Sequence, residues 1–286
     1  MNEEKLKYGL KNDYMFRAAM QSSERMLRGL VSALLDLKPV EIEECLIENP
    51  IILGEDIDEK TCILDVKVLL NNSKRLNIEL QTTNYGDWQD RGLLYLCRAF
   101  DDLAKGEKYS ELKTTIHIGI LDFTLFPDAP EFYSENLLMN TKNHKIFNSK
   151  FILRVLDLTQ LENVPEKEKE TDLYYWAKLF QAASWKEIAM LAEKNETIKE
   201  AETIMRKLNA DERIQMQCEA REQIEHDMAS AYQHGIDVGM EQGIKILVLD
   251  NLEEGISKER ICEKLQIRFG LEKDQAEEYI RACQKK

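Results

Sequence analysis

Between residues 61 and 82 the chain alternates. In TCILDVKVLL, Leu64, Val66 and Val68 share one side while Asp65 and Lys67 take the other. In RLNIELQTTN, Leu76, Ile78 and Leu80 alternate with Asn77, Glu79 and Gln81. Period two predicts strands over 61–70 and 75–82, joined through NNSK. Elsewhere the apolar spacing is helical. SSERMLRGLVSALLDL (22–37) has a serine N-cap and is stopped by Pro39. DWQDRGLLYLCRAFDDLAK (87–105) reads as a helix ended by Gly106. The apolar run TTIHIGILDF (114–123) fits a central strand, and 131–139 and 151–158 are two further strands. The order of elements predicts an α/β class with a mixed sheet.

After ENVPEKEKETD the character changes. No proline follows Pro165, and helix formers dominate from Asp172 onward. Three parts are expected: a mixed domain over 1–165, a helical extension over 166–250, and a helical hairpin over 251–286 turning at Gly270. Gly235, Gly239 and Gly243 recur every fourth residue. Two readings stand for them: a poorly formed helix, or a face for close packing within the chain or between copies.

Facing strands of a hairpin put directly opposed residues on the same side. The two apolar sides must coincide, so paired residue numbers sum to an even value. A three-residue loop of Asn71, Asn72 and Ser73 pairs Asp65 with Glu79 and Lys67 with Asn77. A five-residue loop pairs Asp65 with Gln81 and Lys67 with Glu79. Either register gathers Asp65, Lys67, Glu79 and Gln81 on one patch, opposed Cβ atoms lying about 5 Å apart. Adjacent carboxylates repel, and a divalent cation removes the conflict. Mg²⁺ takes one or two carboxylates and keeps several waters, and the backbone carbonyl of Leu80 is a natural further ligand. The plain alternative is a solvent-facing hairpin with an ion pair at its rim.

The chain has 286 residues, 43% apolar and 32% charged, enough for a sizeable core under a solvated surface. No apolar run reaches ~18 residues, so no membrane span is expected. The charged start, MNEEKLKYGLKND, is no secretory signal, and a cytoplasmic location follows. Six cysteines without CxxC spacing and four histidines argue against structural zinc. Net charge is −14: −6 over residues 1–150, −8 over 151–250 and zero over 251–286. Phosphate neutralisation drives DNA affinity, so a DNA partner must be met by a local patch or a cation.

ILDVKV followed by LNIELQ resembles the D…ExQ form of the PD-(D/E)XK nuclease signature, closest to the bacterial Rpn family of recombination-promoting nucleases and transposases. NDYMF resembles that family's opening Asp-x-x-Phe segment (Asp13, Phe16), and DRGLLYLCRAF its Arg-x-x-x-Tyr helix (Arg91, Tyr95). LAKGEKYSELKTTIHIGILDFTLF resembles its Gly-x-x-Tyr turn into a central strand. The resemblance implies a restriction-endonuclease-like core followed by an all-helical extension. It implies a Mg²⁺- or Mn²⁺-dependent DNA endonuclease linked to recombination or mobile elements. Asp65 and Glu79 would hold the metal, and Gln81 would stand where the superfamily has lysine. Asp13 would approach from the first helix; its plain alternative is a helix N-cap. Lys67 is an inferred source of charge. Arg91 and Tyr95 share a helix face suited to DNA phosphate, or to an internal salt bridge and a core tyrosine. His117 reads as a core or rim histidine. The other function class is a nuclease fold that cleaves weakly and serves binding or assembly, including a homo-oligomer through the C-terminal helices.

Overall fold

A computed structural model describes residues 5–48, 66–101 and 103–284. Among them six strands form one mixed sheet in the order β1-β2-β3-β4-β6-β5. The strands are β1 Cys45–Ile47, β2 Val66–Leu70, β3 Lys74–Gln81, β4 Thr114–Leu121, β5 Tyr133–Met139 and β6 Ile146–Asp157. The pair β3–β4 and the pair β4–β6 are parallel; the other pairs are antiparallel. This is the expected mixed α/β core, and an all-helical C-terminal region follows it.

The β2–β3 hairpin takes the three-residue loop. Leu70 pairs with Lys74, Lys67 with Asn77 and Val66 with Ile78. Within that loop Asn71 and Asn72 both have positive φ, 47° and 48°, as the central pair of a mirror-image β-turn closed by the Ser73 N–H on the Leu70 carbonyl. The Asn71 side chain also accepts from the backbone N–H groups of Glu43 and Glu44 and donates to the Glu41 carbonyl. Asp65 lies outside the described residues.

Helices α1 (Asp13–Ser22) and α2 (Glu24–Leu35) cover one face of the sheet. Asn12, not Asp13, is the N-cap of α1, accepting from the Met15 N–H; Ser23 caps α2. The carbonyl of Leu34, near the end of α2, receives the Tyr133 hydroxyl and the Arg154 guanidinium, which tie the helix to the far edge of the sheet. A second layer of α4 (Asp172–Gln181), α5 (Trp185–Ala192) and α6 (Glu196–Asn209) closes over α1 and α2. Trp176, Phe180, Ile188 and Met205 are at most 1% exposed in the same core as Val66, Ile78 and Ile118. The approach is close at Gly29, where a Cβ would lie 2.5 Å from the Cβ of Thr197. Cys45 and Cys218 are buried here, and burial pushes both thiols up to about 12.

The opposite face is covered by α3 (Trp88–Phe100). This helix ends five residues short of Lys105. Asp101 already has a non-helical ψ of 77°, and a carboxylate at a helix C-terminus opposes the dipole. Gly106 (φ +99°) sits in a separate turn.

Two compact units divide the chain, Met1–Gln223 and Ile224–Lys286. Helix α7, Glu212–Glu253, runs unbroken through Gly235, Gly239 and Gly243, so the poorly formed helix is not observed. A Cβ at Gly235 or Gly239 would meet nothing within 4 Å. In the second unit α8 (Lys258–Phe269) and α9 (Lys273–Gln284) pack on the end of α7 through Ile244, Val248, Ile261, Leu265 and Ile280. Gly270, at φ +66°, makes the turn expected there. Among the described residues no helix is long and apolar enough to cross a membrane.

Candidate active site at the end of the central strand

The polar side of β3 does not face water. Asn77 is 4% exposed and Glu79 5%, because α3 lies over them. The parallel register sets Asn77 beside His117, Glu79 beside Gly119 and Gln81 beside Leu121. Gly119 matters for what it lacks. A Cβ there would lie 2.2 Å from Cζ2 of Trp88, so the indole occupies the space of a side chain. Trp88 in turn stacks on His117 at 5.9 Å, and Tyr95 meets the same imidazole edge-on at 6.1 Å.

Within this pocket the polar groups form a chain. The Asn77 amide nitrogen lies 3.1 Å from His117 Nδ1. If it donates there, the imidazole proton sits on Nε2, toward Glu79. His117 Nε2 is 3.3 Å from Glu79 Oε2, and among the described residues neither atom makes a hydrogen bond. Glu79 Oε1 takes an ion pair from Arg91 Nη2 at 2.8 Å. The same guanidinium donates to Gln81 Oε1 at 2.6 Å, and Gln81 Nε2 donates to the Thr83 carbonyl at 2.9 Å. A carboxylate, a carboxamide and a guanidinium thus converge at the C-terminal end of the central strand. Open parallel sheets usually present their sites at that end.

Other expected residues stand apart. Lys67 is exposed on β2, two residues from the position opposite Glu79. The Leu80 side chain alternates away from the pocket, while the expected ligand is its backbone carbonyl, which lies on β3 between Glu79 and Gln81. Asp13 is gripped by Arg221 of α7, whose Nε lies 3.1 and 3.0 Å from the two carboxylate oxygens and whose Nη2 also reaches Oδ2. Asn77, Trp88 and Gly119 carried no role in the sequence reading, and His117 only that of a packed residue. A third polar residue in step with Glu79 and Gln81 was one available signal; a histidine and a glycine inside an apolar strand were others.

Among the described residues no three His, Cys, Asp or Glu side chains come together as a metal-binding group. What Glu79 offers a hard cation is one buried carboxylate oxygen, Oε2, which makes no hydrogen bond among the described residues. An oxygen donor left in that state fits such an ion.

No curated protein and no solved structure matches the chain. A family model described as PD-(D/E)XK nuclease family transposase matches residues 10–235. The match runs from before α1 into α7 and takes in the sheet, the helix roofing it and Glu79; the chain belongs to the PD-(D/E)XK nuclease family transposases.

Proposed function

We propose that this protein is a divalent-metal-dependent DNA endonuclease of the recombination-promoting (Rpn) type, acting in recombination or mobile-element movement. The observation that carries the reading is the buried Glu79 at the end of a central strand, whose Oε2 makes no hydrogen bond among the described residues and has only His117 Nε2 near it at 3.3 Å, with Gln81 next on the same side. Leaving a buried acceptor unsatisfied costs about 1–3 kcal/mol, more when it is charged. Glu79, the Leu80 carbonyl and Asp65 are the proposed ligands of Mg²⁺ or Mn²⁺. Such an ion, when bound, polarises a phosphoryl oxygen and lowers the pKa of a coordinated water.

The chain's own groups do the rest. Gln81 is held at both ends of its amide, by Arg91 and by the Thr83 carbonyl, so it can orient a water. An amide takes up no proton, so Gln81 is a positioning group and not a base. Arg91 supplies fixed positive charge beside the scissile phosphate, and Lys67 adds charge from the neighbouring strand. Tyr95 and Trp88 hold His117 against Glu79 and keep water from that side. The same reading has DNA as partner, self-association through the C-terminal helices and a cytoplasmic location.

One observation favours a second reading. Arg91 engages both Glu79 and Gln81, so the pocket neutralises itself. A nuclease fold of that kind would cleave weakly and serve in binding or assembly. Plasmid nicking with Mg²⁺ or Mn²⁺ separates the two. Nicking by the natural protein, lost in both Asp65→Ala and Glu79→Ala, is expected. Equal nicking by all three proteins would sink the endonuclease reading. No nicking and no heat of metal binding in calorimetry, with self-association retained in sedimentation, is the outcome the second reading expects.

A further inference from the structure

The chain is acidic, yet one element is basic. Residues 136 to 153 contain Lys142, Lys145 and Lys150 and no acid. They form the outer half of the β5–β6 hairpin. Strand β4 pairs with β6 only from Thr115 and Phe151 onward, so the residues before Phe151 run on as a two-stranded ribbon. Register shifts on either side of Leu138 bend this ribbon, as β-bulges do.

The tip is built firmly. The Asn140 side chain accepts from the N–H groups of Lys142 and Asn143, and the Asn143 side chain from that of Lys145. The Asn140 and Lys145 backbones pair at 2.9 Å, and His144 takes a left-handed φ of 55°. Its apolar side chains are left in solvent. Phe147 is 81% exposed, and Leu138 and Ile146 are more than half exposed. Lys142 and Lys145 are exposed, and among the described residues neither ammonium has an ion pair. Lys150 differs, since its ammonium is bound by the Ser110 and Leu112 carbonyls and serves the fold. Two like charges across one tight turn repel each other, and a polyanion relieves that repulsion.

We infer that the β5–β6 hairpin is the duplex-DNA anchor of this protein. Lys142 and Lys145 neutralise phosphates, and Phe147 makes apolar contact within the groove. The inference rests on reading the chain as a DNA-cutting protein, and it supplies the local patch that the net charge of −14 demands. The major groove of B-DNA, about 12 Å wide, admits a two-stranded ribbon. The narrow major groove of A-form RNA does not. Through β4, Phe151 lies level with Arg75, four residues before Glu79 and so roughly 13 Å along the strands. The tip extends further in that direction. One turn of duplex, about 34 Å, is on the scale needed to span both.

The test uses the full chain with fluorescent duplex DNA of about 20 base pairs, read by anisotropy across a salt series. The Lys142→Gln/Lys145→Gln double variant should bind at least about tenfold more weakly, its log–log salt slope falling by about 2. Phe147→Ser should weaken binding and leave the slope unchanged. Both variants should melt like the natural protein. An unchanged affinity and slope in the double variant overturns the anchor. So does duplex RNA binding as tightly as DNA, and so does a hairpin variant that alters only sedimentation, which assigns the tip to contacts between copies. The two readings fail separately. Glu79-dependent nicking with an unchanged slope removes the anchor alone. A lysine-dependent slope without nicking removes the nuclease alone.

Discussion

Glu79 and Arg91 neutralise each other where water scarcely reaches, the carboxylate side chain 7% and the guanidinium 25% exposed. Removing one partner of such a pair strands the other. Arg91→Ala is expected to destabilise the protein by roughly 2–3 kcal/mol, less than the ~3–5 kcal/mol of a fully buried pair because Arg91 is partly wet. Added Mg²⁺ should restore much of that loss, since an ion bound to Glu79 takes over the cation's place. Thermal denaturation of both proteins with and without Mg²⁺ measures this. Melting of the variant indistinguishable from the natural protein in both conditions would refute it. At this scale the sequence was partly legible. Alternation alone singled out Glu79 and Gln81. The meeting of Arg91 and His117 with Glu79 was not legible, because it depends on β4 lying parallel beside β3 and on which side α3 covers. No local spacing encodes either. Nor did the NDYMF segment reveal that Asp13 is gripped by an arginine more than two hundred residues away.

The element that makes the pocket is α3, and its seat is Gly119. With no Cβ at that position the Trp88 indole fits against β4 at the residue that pairs with Glu79. Gly119→Ala would push Trp88 outward and lift the start of the helix. A loss of about 1–3 kcal/mol is expected, as for other overpacked sites. Because Arg91 follows Trp88 by one turn, nicking should fall by more than the stability loss explains. Equal activity per folded molecule, measured well below the melting transition, would argue against that coupling. Element positions were the most legible part of the sequence. The described part of the hairpin, the helix within 22–37 and the terminal hairpin stand where period and caps place them; residues 61–65 of the first strand lie outside the described residues. The burial of the polar side of β3 was not foreseen, because alternation distinguishes two faces but does not say whether a helix covers the second.

For the whole molecule the composition break near residue 165 marks the end of the strands and not the end of the core. Trp176, Phe180, Ile198 and Met205 pack into the core that α1 and α2 share with the sheet. A fragment ending at residue 165 should therefore expose that surface and aggregate. One ending at Gln223, where the first compact unit ends, should melt cooperatively and keep its nicking activity. Limited proteolysis and scanning calorimetry of both fragments check this; a soluble, cooperatively melting 1–165 fragment would contradict it. The break was legible as a change of composition. Its structural meaning was not, since helices that finish a sheet's core and helices that form an extension share one amphipathic pattern.

The first residues of the core are completed by some of its last. The Tyr8 backbone pairs with the Asn209 side chain, Asn12 donates to the Cys218 carbonyl, and Asp13 holds Arg221. On a ribosome adding about 5–20 residues per second, the 206 residues between Asn12 and Cys218 take roughly 10 to 40 s to make. For most of that interval α1 and α2 have been made while the α4–α6 layer that closes over them has not. Folding of this core is thus a late event of synthesis, and the nascent chain is the stage at which chaperones have most to hold.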